Sequence, residues 1–365
     1  MPTPEEQYRA TINQQEEQIL AFLRAFEALQ EQLHFAKVKQ HKQDLFDKIG
    51  DLFPPLNAEL EKLTAPPSLK DFDQKWREAV AHLEDAYTSF LTGSEYNFIV
   101  AYFQSRRAFS LGKYLLYDLR AQLPTLRQYW LLPEALPHLT ELETPGTNGE
   151  VKTGIMHRQG TDAHGEYSLY VPENYTPQRR WPLIIAMHGG HGRGDDYLLT
   201  WLRPAKSKGY IVLSPKSLDD TWSIQRPSVD IRSILSILEP LVDEYEIDTS
   251  RIFATGLSDG GTFSYALGLH CPKLFAGIAP VAGVLPGWFD RTQAKTLPIF
   301  IIHGAQDFIF PVQTARTVRD VLLKEEFTNI TYKELPDWGH AYTYSINETL
   351  VLPWFESLPS RTVVQ

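Results

Sequence analysis

Residues 256–261 read GLSDGG and join a predicted strand, Ile252–Ala254, to a predicted helix, Gly260–Leu269. This is the pattern G-x-S-x-G in the strand–turn–helix setting that exposes a serine hydroxyl at the end of a strand. Side chains two positions on either side of the serine would collide in so tight a turn, which explains both glycines. We interpret Ser258 as a nucleophile. The alternative is an ordinary glycine-rich turn whose serine caps the helix.

A serine hydroxyl is a weak nucleophile that needs a base, and the base needs a third group to orient it. Both are found after Ser258 in the chain. Asp307 comes just after the apolar strand Pro298–His303, and His340 follows the strand-like run Ile330–Leu335. This arrangement predicts a triad in which the aspartate holds the histidine ring and the ring takes the serine proton.

Each partner of the serine also has a simpler explanation. Asp307 could cap the helix that is predicted to begin near Pro311, and His340 is one of 11 histidines. Asp337 is a rival acid close to His340 in sequence, but it does not follow a strand whose end would face the base. Because the three signals support one another, we favour Ser258, Asp307 and His340 as the catalytic residues.

Acyl transfer also needs N–H donors for an oxyanion. The predicted strand Leu183–Met187 runs into HGGHG at residues 188–192, where the lack of side chains lets backbone N–H groups approach a ligand closely. Gly189 and Gly190 are both candidates for one donor. The N–H of Asp259, directly after the nucleophile, is predicted to be the second.

The same glycine-rich loop is open to other interpretations. A dinucleotide site would need G-x-G-x-x-G, but Asp195 stands where the third glycine belongs, and no G-K-[ST] follows to make a P-loop. His188 and His191 suggest a metal, yet no carboxylate or thiol pattern completes such a site. We expect His188 to be a structural residue at the end of its strand.

Around these loops, short apolar runs alternate with helical patterns over residues 155–365. The alternation predicts an α/β domain with a largely parallel sheet that helices cover on both faces. Ligands of such sheets bind beyond the carboxyl ends of the strands. Further predicted strands are Tyr167–Val171 and Tyr210–Leu213, and further predicted helices are Asp196–Lys206, Val229–Tyr245, Val312–Lys324 and Ser345–Phe355.

Residues 1–131 show a different pattern. The sequence TPEE at residues 3–6 is a typical helix start with Thr3 as N-cap. Apolar residues then recur every seven positions from Ile12 to Leu33, and glycine is almost absent. We predict an all-α helical bundle here, joined by a linker rich in proline and glycine at 132–154 to the α/β domain at 155–365.

Composition limits the classes of partner. The chain has 365 residues, 43% of them hydrophobic, and a formal net charge of −10, which argues against nucleic acid as a partner. No apolar run is long enough to span a membrane. Cys271 is the single cysteine, so neither an intrachain disulfide nor a zinc–cysteine cluster can form. The N-terminus lacks the pattern of a signal peptide, and we expect a cytoplasmic protein.

Residues 150–358 resemble the α/β-hydrolase carboxylesterases. The resemblance is strongest to the branch with polyhydroxybutyrate depolymerase-like and feruloyl esterase-like enzymes and the phospholipase/carboxylesterase group, and the order Ser–Asp–His is the one found in α/β hydrolases. It implies a Ser258–His340–Asp307 triad, no cofactor, a small-molecule ester as substrate and hydrolysis through an acyl-enzyme. The matching segments are residues 167–172, 188–190, 229–261, 279–283, 303–307 and 339–340.

Two tryptophans are candidates for binding the substrate. Trp222 lies in a loop on the predicted active-site side, and Trp338 precedes His340 by two residues, although core packing is the simpler explanation for each. The helical bundle could cap the site, bind a partner or form a homo-oligomer through an exposed stripe between Ile12 and Leu33. Of these roles we favour a bundle that packs on the catalytic domain and shapes the entrance of the site.

The sequence therefore predicts a serine carboxylesterase that acts on small or short-chain esters. A peptidase of related α/β type would use the same triad on amides, but such enzymes usually carry a propeller domain, and the N-terminal part here is helical. A non-catalytic binding or scaffold protein is the third hypothesis. The presence of all three triad residues disfavours it.

Overall fold

The computed structural model describes residues 3–94, 96–146 and 151–361. Contacts divide the chain into two compact units, Met1–Leu131 and Leu132–Gln365. Within the described residues, no helix combines the length and the apolarity that crossing a membrane requires.

The first unit is helical, as predicted. Its first helix begins after Thr3, whose hydroxyl accepts the N–H of Glu6 while the Glu6 carboxylate accepts the N–H of Thr3. The predicted N-cap is thus confirmed. The helices are α1 Pro4–Gln32, α2 Val38–Ile49, α3 Phe53–Lys62, α4 Lys70–Thr92, α5 Phe98–Leu119 and α6 Pro124–Tyr129.

The apolar stripe of α1 lies in the core. Ile12, Ile19 and Phe26 are buried, and the Phe26 ring packs 4.7 Å from the ring of Phe109 on α5. Leu33 is buried as well. The stripe between Ile12 and Leu33 is therefore buried in the single chain, and the possible homo-oligomer stays a prediction.

Part of the predicted linker is helical. Residues Pro133–His138 form a 3₁₀ helix and Leu139–Glu143 form α7, and both belong to the second unit. The Nζ of Lys206 lies 2.8 Å from Glu143 and 2.5 Å from Glu173, and this buried ion cluster holds the end of α7. Residues 147–150 of the predicted linker lie outside the described residues.

One sheet organises the second unit. Within the described residues it has eight strands in the order β1-β2-β4-β3-β5-β6-β7-β8. The β1–β2 and β2–β4 pairs are antiparallel and the other pairs are parallel, so the predicted, largely parallel sheet is confirmed. The strands are β1 Gly154–Arg158, β2 Tyr167–Val171, β3 Trp181–Met187, β4 Ile211–Pro215, β5 Ile247–Leu257, β6 Gly277–Val281, β7 Ile299–Gly304 and β8 Ile330–Leu335.

Helices follow most of these strands. All residues of β3 are buried, as expected for a strand covered on both faces. Together with the sheet, the helices confirm the predicted α/β-hydrolase architecture preceded by a helical region. They are α8 Gly194–Leu198, α9 Leu202–Lys208, α10 Ser228–Glu244, α11 Asp259–His270, α12 Val312–Lys324, α13 Tyr344–Ile346 and α14 Leu352–Ser357.

Several elements differ from the predictions, among them the predicted helix Ser345–Phe355, which is α13 and α14 joined by a π-helix at Asn347–Val351. The predicted helix Asp196–Lys206 is divided into α8 and α9, because Pro204 has no N–H for the Thr200 carbonyl and its ring would clash there. Strand β6 was not predicted, and its Pro280 argues against a central strand on sequence grounds. Strand β1 begins at Gly154, at the end of the predicted linker, and was also not predicted.

Candidate active site

The turn between β5 and α11 holds Ser258 in a strained conformation. Its φ of 59° and ψ of −118° are unusual for a residue with a side chain. Two backbone bonds stabilise the turn: the N–H of Ser258 donates to the carbonyl of Val281 at 3.0 Å, and the N–H of Thr262 donates to the carbonyl of Ser258 at 2.8 Å. Such strain is typical of a residue held in place for chemistry.

The glycines on either side of Ser258 are required by close backbone contacts. A Cβ added to Gly256 would lie 2.4 Å from the carbonyl of Gly260, and one added to Gly260 would lie 2.2 Å from the carbonyl oxygen of Met187. The expected crowding is therefore present. Its partners are backbone atoms of the turn and of β3, which cannot move aside.

Asp307 and His340 are brought together at the carboxyl ends of β7 and β8. The Nδ1 of His340 lies 2.7 Å from Oδ2 of Asp307. The aspartate side chain is fully excluded from solvent, and the histidine side chain is 8% exposed. Because Nδ1 donates its proton to the carboxylate, the other ring nitrogen, Nε2, is the one left to act as a base.

The second carboxylate oxygen of Asp307 is also occupied. Its Oδ1 accepts the N–H of Ile309 at 2.9 Å and the N–H of Phe310 at 2.8 Å. Burial alone would raise the pKa of Asp307, but hydrogen bonds from His303 and His340, the charge of His340 and the Phe310 N–H outweigh it, and the pKa lies well below its ordinary value. Asp307 is thus ionised.

A second histidine contacts the same carboxylate, and sequence reasoning did not assign it to the site. The Nε2 of His303 lies 3.3 Å from Oδ2 of Asp307 and 2.7 Å from the carbonyl of Phe310. The Phe310 ring packs edge-on against His340, with centroids 5.5 Å apart. The signal was present in the sequence, since His303 and Asp307 flank a single loop.

The loop that carries His340 closely approaches the end of β7. A Cβ on Gly304 would lie 2.2 Å from the carbonyl oxygen of Trp338, and that carbonyl accepts the N–H of Gln306 at 3.1 Å. Trp338 is half-buried. Its main chain holds the two loops together, and part of its side chain stays accessible to a ligand.

Ser258 shares this edge of the sheet, because β5 is parallel to β7 and β8. Within the described residues, no hydrogen bond joins its hydroxyl to His340; in free enzymes such bonds are often long and tighten only when substrate binds. The rival acid Asp337 is exposed, and the same set of residues holds no hydrogen bond or ion pair from it to His340. Of the two candidate acids, Asp307 is the one with a hydrogen bond to His340 among the described residues.

The glycine-rich loop after β3 lies against the nucleophile turn. A Cβ on Gly189 would lie 3.5 Å from the Cβ of Ser258. The Gly189 carbonyl accepts bonds from Nδ1 of His188 at 2.7 Å and from the N–H of Gly192 at 3.0 Å. Because the peptide is planar and trans, fixing this carbonyl also fixes the direction of the Gly190 N–H.

His188 uses both ring nitrogens within the protein. Its Nε2 accepts the N–H of Ser217 at 3.1 Å, so Nδ1 carries the proton that it donates to Gly189. The ring is fully buried, which fits the structural role expected for it. In the part of the chain that the structure describes, no group of three or more His, Cys, Asp or Glu side chains could hold a metal ion.

Asp259 is tied to the loop after β4. The Thr221 hydroxyl donates to Oδ2 of Asp259 at 2.5 Å, and a Cβ on Gly190 would lie 2.7 Å from that same oxygen. A carboxylate therefore lies beside Gly190, one of the candidate oxyanion donors. Sequence reasoning missed Thr221, because 38 residues separate it from its partner.

Trp222 packs between the glycine-rich loop and α11. It is 2% exposed, its indole N–H donates to the carbonyl of His188 at 2.8 Å, and its ring stacks on Phe263 of α11. The ring thus packs beneath the glycine-rich loop, and Trp222 also lines a cavity formed by the loop after β4. Its contact with a substrate stays a prediction.

The sequence of the second unit is similar to known esterases. The model of the phospholipase/carboxylesterase family matches residues 218–349. A bifunctional acetylxylan esterase/xylanase of Neocallimastix patriciarum is 31% identical over 160 residues, 42% of this chain and 22% of that protein. A probable feruloyl esterase C of Aspergillus niger is 27% identical over 175 residues, 46% of this chain and 62% of that protein.

Among solved structures, a thermostable esterase has 25% sequence identity to this chain and a TM-score of 0.48. The match covers 57% of this chain and 63% of the esterase chain. The chain spans less than two thirds of the length of these relatives. The second unit of this chain, Leu132–Gln365, has the α/β-hydrolase fold, and its sequence is similar to those of carboxylesterases.

Proposed function

We propose that the second unit is a serine carboxylesterase that hydrolyses small or short-chain carboxylic esters through an acyl-enzyme. The observation that carries the proposal is the buried 2.7 Å bond between His340 and Asp307, at the sheet edge where the strained Ser258 turn also lies. The similarity to acetylxylan and feruloyl esterases supports ester hydrolysis as the type of reaction.

In the first step, Ser258 would act as the nucleophile. Its Oγ attacks the ester carbonyl carbon while Nε2 of His340 accepts the hydroxyl proton, and the carbonyl oxygen becomes an oxyanion. Asp307 stabilises the resulting imidazolium. The N–H of Asp259 and that of Gly189 or Gly190 would donate to the oxyanion, and among the described residues none of these three N–H groups has a hydrogen-bond partner.

In the second step, the tetrahedral intermediate collapses. The bond from the carbonyl carbon to the alcohol oxygen breaks, His340 returns the proton to the leaving alcohol, and the acyl group stays on Ser258. Water then attacks the acyl-enzyme with His340 again as base. The products are the carboxylic acid and the free serine, so no cofactor is required.

The substrate would lie beyond the carboxyl ends of the strands. A cavity of about 630 Å³ is lined by the loop after β4, including Leu218, Thr221 and Ile224. Thr221 connects this cavity to Asp259. We infer that part of a small ester occupies it, with Trp222 in its lining and half-buried Trp338 as the aromatic candidates for contact with the substrate.

Hydrolysis of p-nitrophenyl esters from acetate to palmitate tests the proposal. Ser258→Ala is expected to lose about 10³-fold or more in kcat, because the nucleophile is removed. Ser357→Ala, which changes an exposed serine on α14, is the matched control and should keep full activity. A fluorophosphonate probe should label the wild type and the control but not Ser258→Ala.

The outcomes separate the hypotheses clearly. A wild type that is active with the shortest chains and an inactive Ser258→Ala support both the mechanism and the substrate class. Equal activity of wild type and Ser258→Ala would exclude Ser258 as the nucleophile. An inactive wild type that the probe does not label would favour a binding or scaffold role.

A further inference from the structure

His303 is a fully buried histidine that the proposed reaction does not use. It lies near the end of β7, four residues before Asp307, and its side chain has no exposure to solvent. Its Nε2 lies 2.7 Å from the carbonyl of Phe310 and 3.3 Å from Oδ2 of Asp307. That oxygen is the one that also accepts the proton of His340.

The hydrogen-bond partners determine where His303 carries its proton. A carbonyl oxygen can only accept, so the short contact to Phe310 requires a proton on Nε2. The other nitrogen, Nδ1, is buried, and no group among the described residues bonds to it. A second proton on Nδ1 would leave a buried donor unsatisfied. The ring is therefore neutral, with its proton on Nε2.

Phe310 connects His303 to both members of the proposed acid–base pair. Its N–H donates to Oδ1 of Asp307 at 2.8 Å, and its ring packs edge-on against the ring of His340. By binding the Phe310 carbonyl, His303 fixes the peptide segment that holds one carboxylate oxygen and one side of the base. By contacting Oδ2, it also limits rotation of the carboxylate.

We propose that His303 is a positioning residue of the esterase site: through the proton on Nε2 it holds Asp307 and Phe310 so that Oδ2 faces His340. The inference rests on the proposed function for its catalytic consequence. Because His303 is neutral, it orients the carboxylate without cancelling its charge. The full negative charge of Asp307 thus remains available to stabilise the imidazolium of His340 during the reaction.

Two amide substitutions at His303 test whether the position of its hydrogen-bond donor matters, or only the presence of a donor. In His303→Gln, the side-chain NH₂ reaches the place of Nε2 and can still donate to Phe310 and Asp307. In His303→Asn, the same amide is one carbon shorter and lies near the place of Nδ1, where no acceptor is found among the described residues. The two variants therefore carry the same amide group and place its N–H donor at two different positions.

The first measurement is steady-state kinetics with p-nitrophenyl acetate on the full chain. His303→Asn is expected to lower kcat by about 10- to 100-fold with KM within about twofold, as for residues that orient a functional side chain. His303→Gln should restore kcat to within a few-fold of the wild type. Thermal melts establish whether each variant is folded. If His303→Asn does not fold, His303→Met, which has no hydrogen-bond donor in its side chain, is measured in its place.

The second measurement is the ¹H NMR resonance of the His340 proton that bonds to Asp307, assigned by its loss in His340→Gln. We expect this resonance in the wild type and in His303→Gln, and its loss or broadening in His303→Asn. The readout does not depend on turnover. An inactive wild type would therefore defeat the proposed function, while the resonance would still decide the role of His303.

Two results would overturn the positioning role. One is a folded His303→Asn that matches the wild type in both kcat and the His340 resonance. The other is an equal loss in His303→Asn and His303→Gln, because the position of the donor would then be irrelevant and the buried ring would serve packing alone.

Discussion

The Nδ1 of His340 lies 2.7 Å from Oδ2 of Asp307, on a carboxylate that solvent does not reach. Four protein donors surround that carboxylate: two backbone N–H groups at Oδ1 and two imidazoles at Oδ2. No water competes for these positions, so the orientation of the His340 ring is set by the fold. The consequences for activity and stability can be measured.

Replacing the acid should disable the base. Asp307→Asn is expected to lower kcat by about 10⁴-fold, because the amide no longer stabilises the required tautomer of His340. The matched control is Asp337→Asn, since Asp337 is exposed and close to His340 in sequence without contacting it. The control should keep activity within about twofold, on the scale of ordinary surface substitutions. A larger loss at Asp337 than at Asp307 would identify Asp337 as the acid.

The low pKa of Asp307 predicts how its contribution to stability depends on pH. In the folded state the pKa lies well below the ordinary value of about 3.9, so the unfolded chain binds the proton more readily. The stabilisation is therefore fully present above about pH 4 and is lost as the pH falls through the lower, folded value. Urea unfolding of wild type and Asp307→Asn between pH 3 and pH 7 measures this stabilisation. The difference between their free energies of unfolding should become smaller only at the acidic end of the range.

Because Asp307 stays ionised, the acid limb of the activity profile should not report on it. A group with so low a pKa stays ionised throughout the range in which the folded enzyme is assayed, so Asp307→Asn should lower kcat/KM by a similar factor at every pH from about 5 to 8. A ratio of wild type to Asp307→Asn that changes steeply with pH in this range would contradict the ionised carboxylate.

Asp259 should make the site discriminate against negatively charged esters. Its carboxylate lies beside Gly190 and Thr221, next to the proposed oxyanion donors. Asp259→Asn should raise kcat/KM for an anionic ester relative to a neutral one by roughly tenfold, since two unit charges about 10 Å apart interact by about 1.7 kcal/mol at an effective dielectric of about 20. Glu239→Gln, an exposed change on α10, should leave the ratio unchanged. An unchanged ratio in Asp259→Asn would rule out this electrostatic role.

Lys206 should be essential for the stability of the second unit. Its side chain is 1% exposed and lies between Glu143 and Glu173, so Lys206→Met leaves two buried carboxylates without their cation. We expect a loss of about 3–5 kcal/mol in the free energy of unfolding. Lys208→Met, two residues away on α9, removes a more exposed pair with Glu134 and should cost at most about 1 kcal/mol. Similar losses in urea unfolding for both variants would contradict this account.

Features of the fold with local causes could be predicted from the sequence. Crowding across a tight turn requires glycine at 256 and 260, and the alternation of apolar runs with helical patterns predicts a parallel sheet. The same reasoning placed Ser258, Asp307 and His340 after successive strands. Thr3 begins its helix as predicted, because a cap bond needs only residues within one turn.

Other features depend on residues that are distant in sequence. The indole N–H of Trp222 donates to the carbonyl of His188, 34 residues away along the chain. The bond from Thr221 to Asp259 and the ion cluster of Lys206 likewise join separate loops and helices.

The sequence by itself determined which residue types stand at the ends of the strands, because turn sterics and hydrophobic periodicity act within a few residues. Only the tertiary structure decided which acid meets His340, that a second histidine contacts Asp307, and that other helices cover the apolar stripe of α1. These contacts arise from packing, which brings side chains within hydrogen-bonding distance regardless of their separation along the chain.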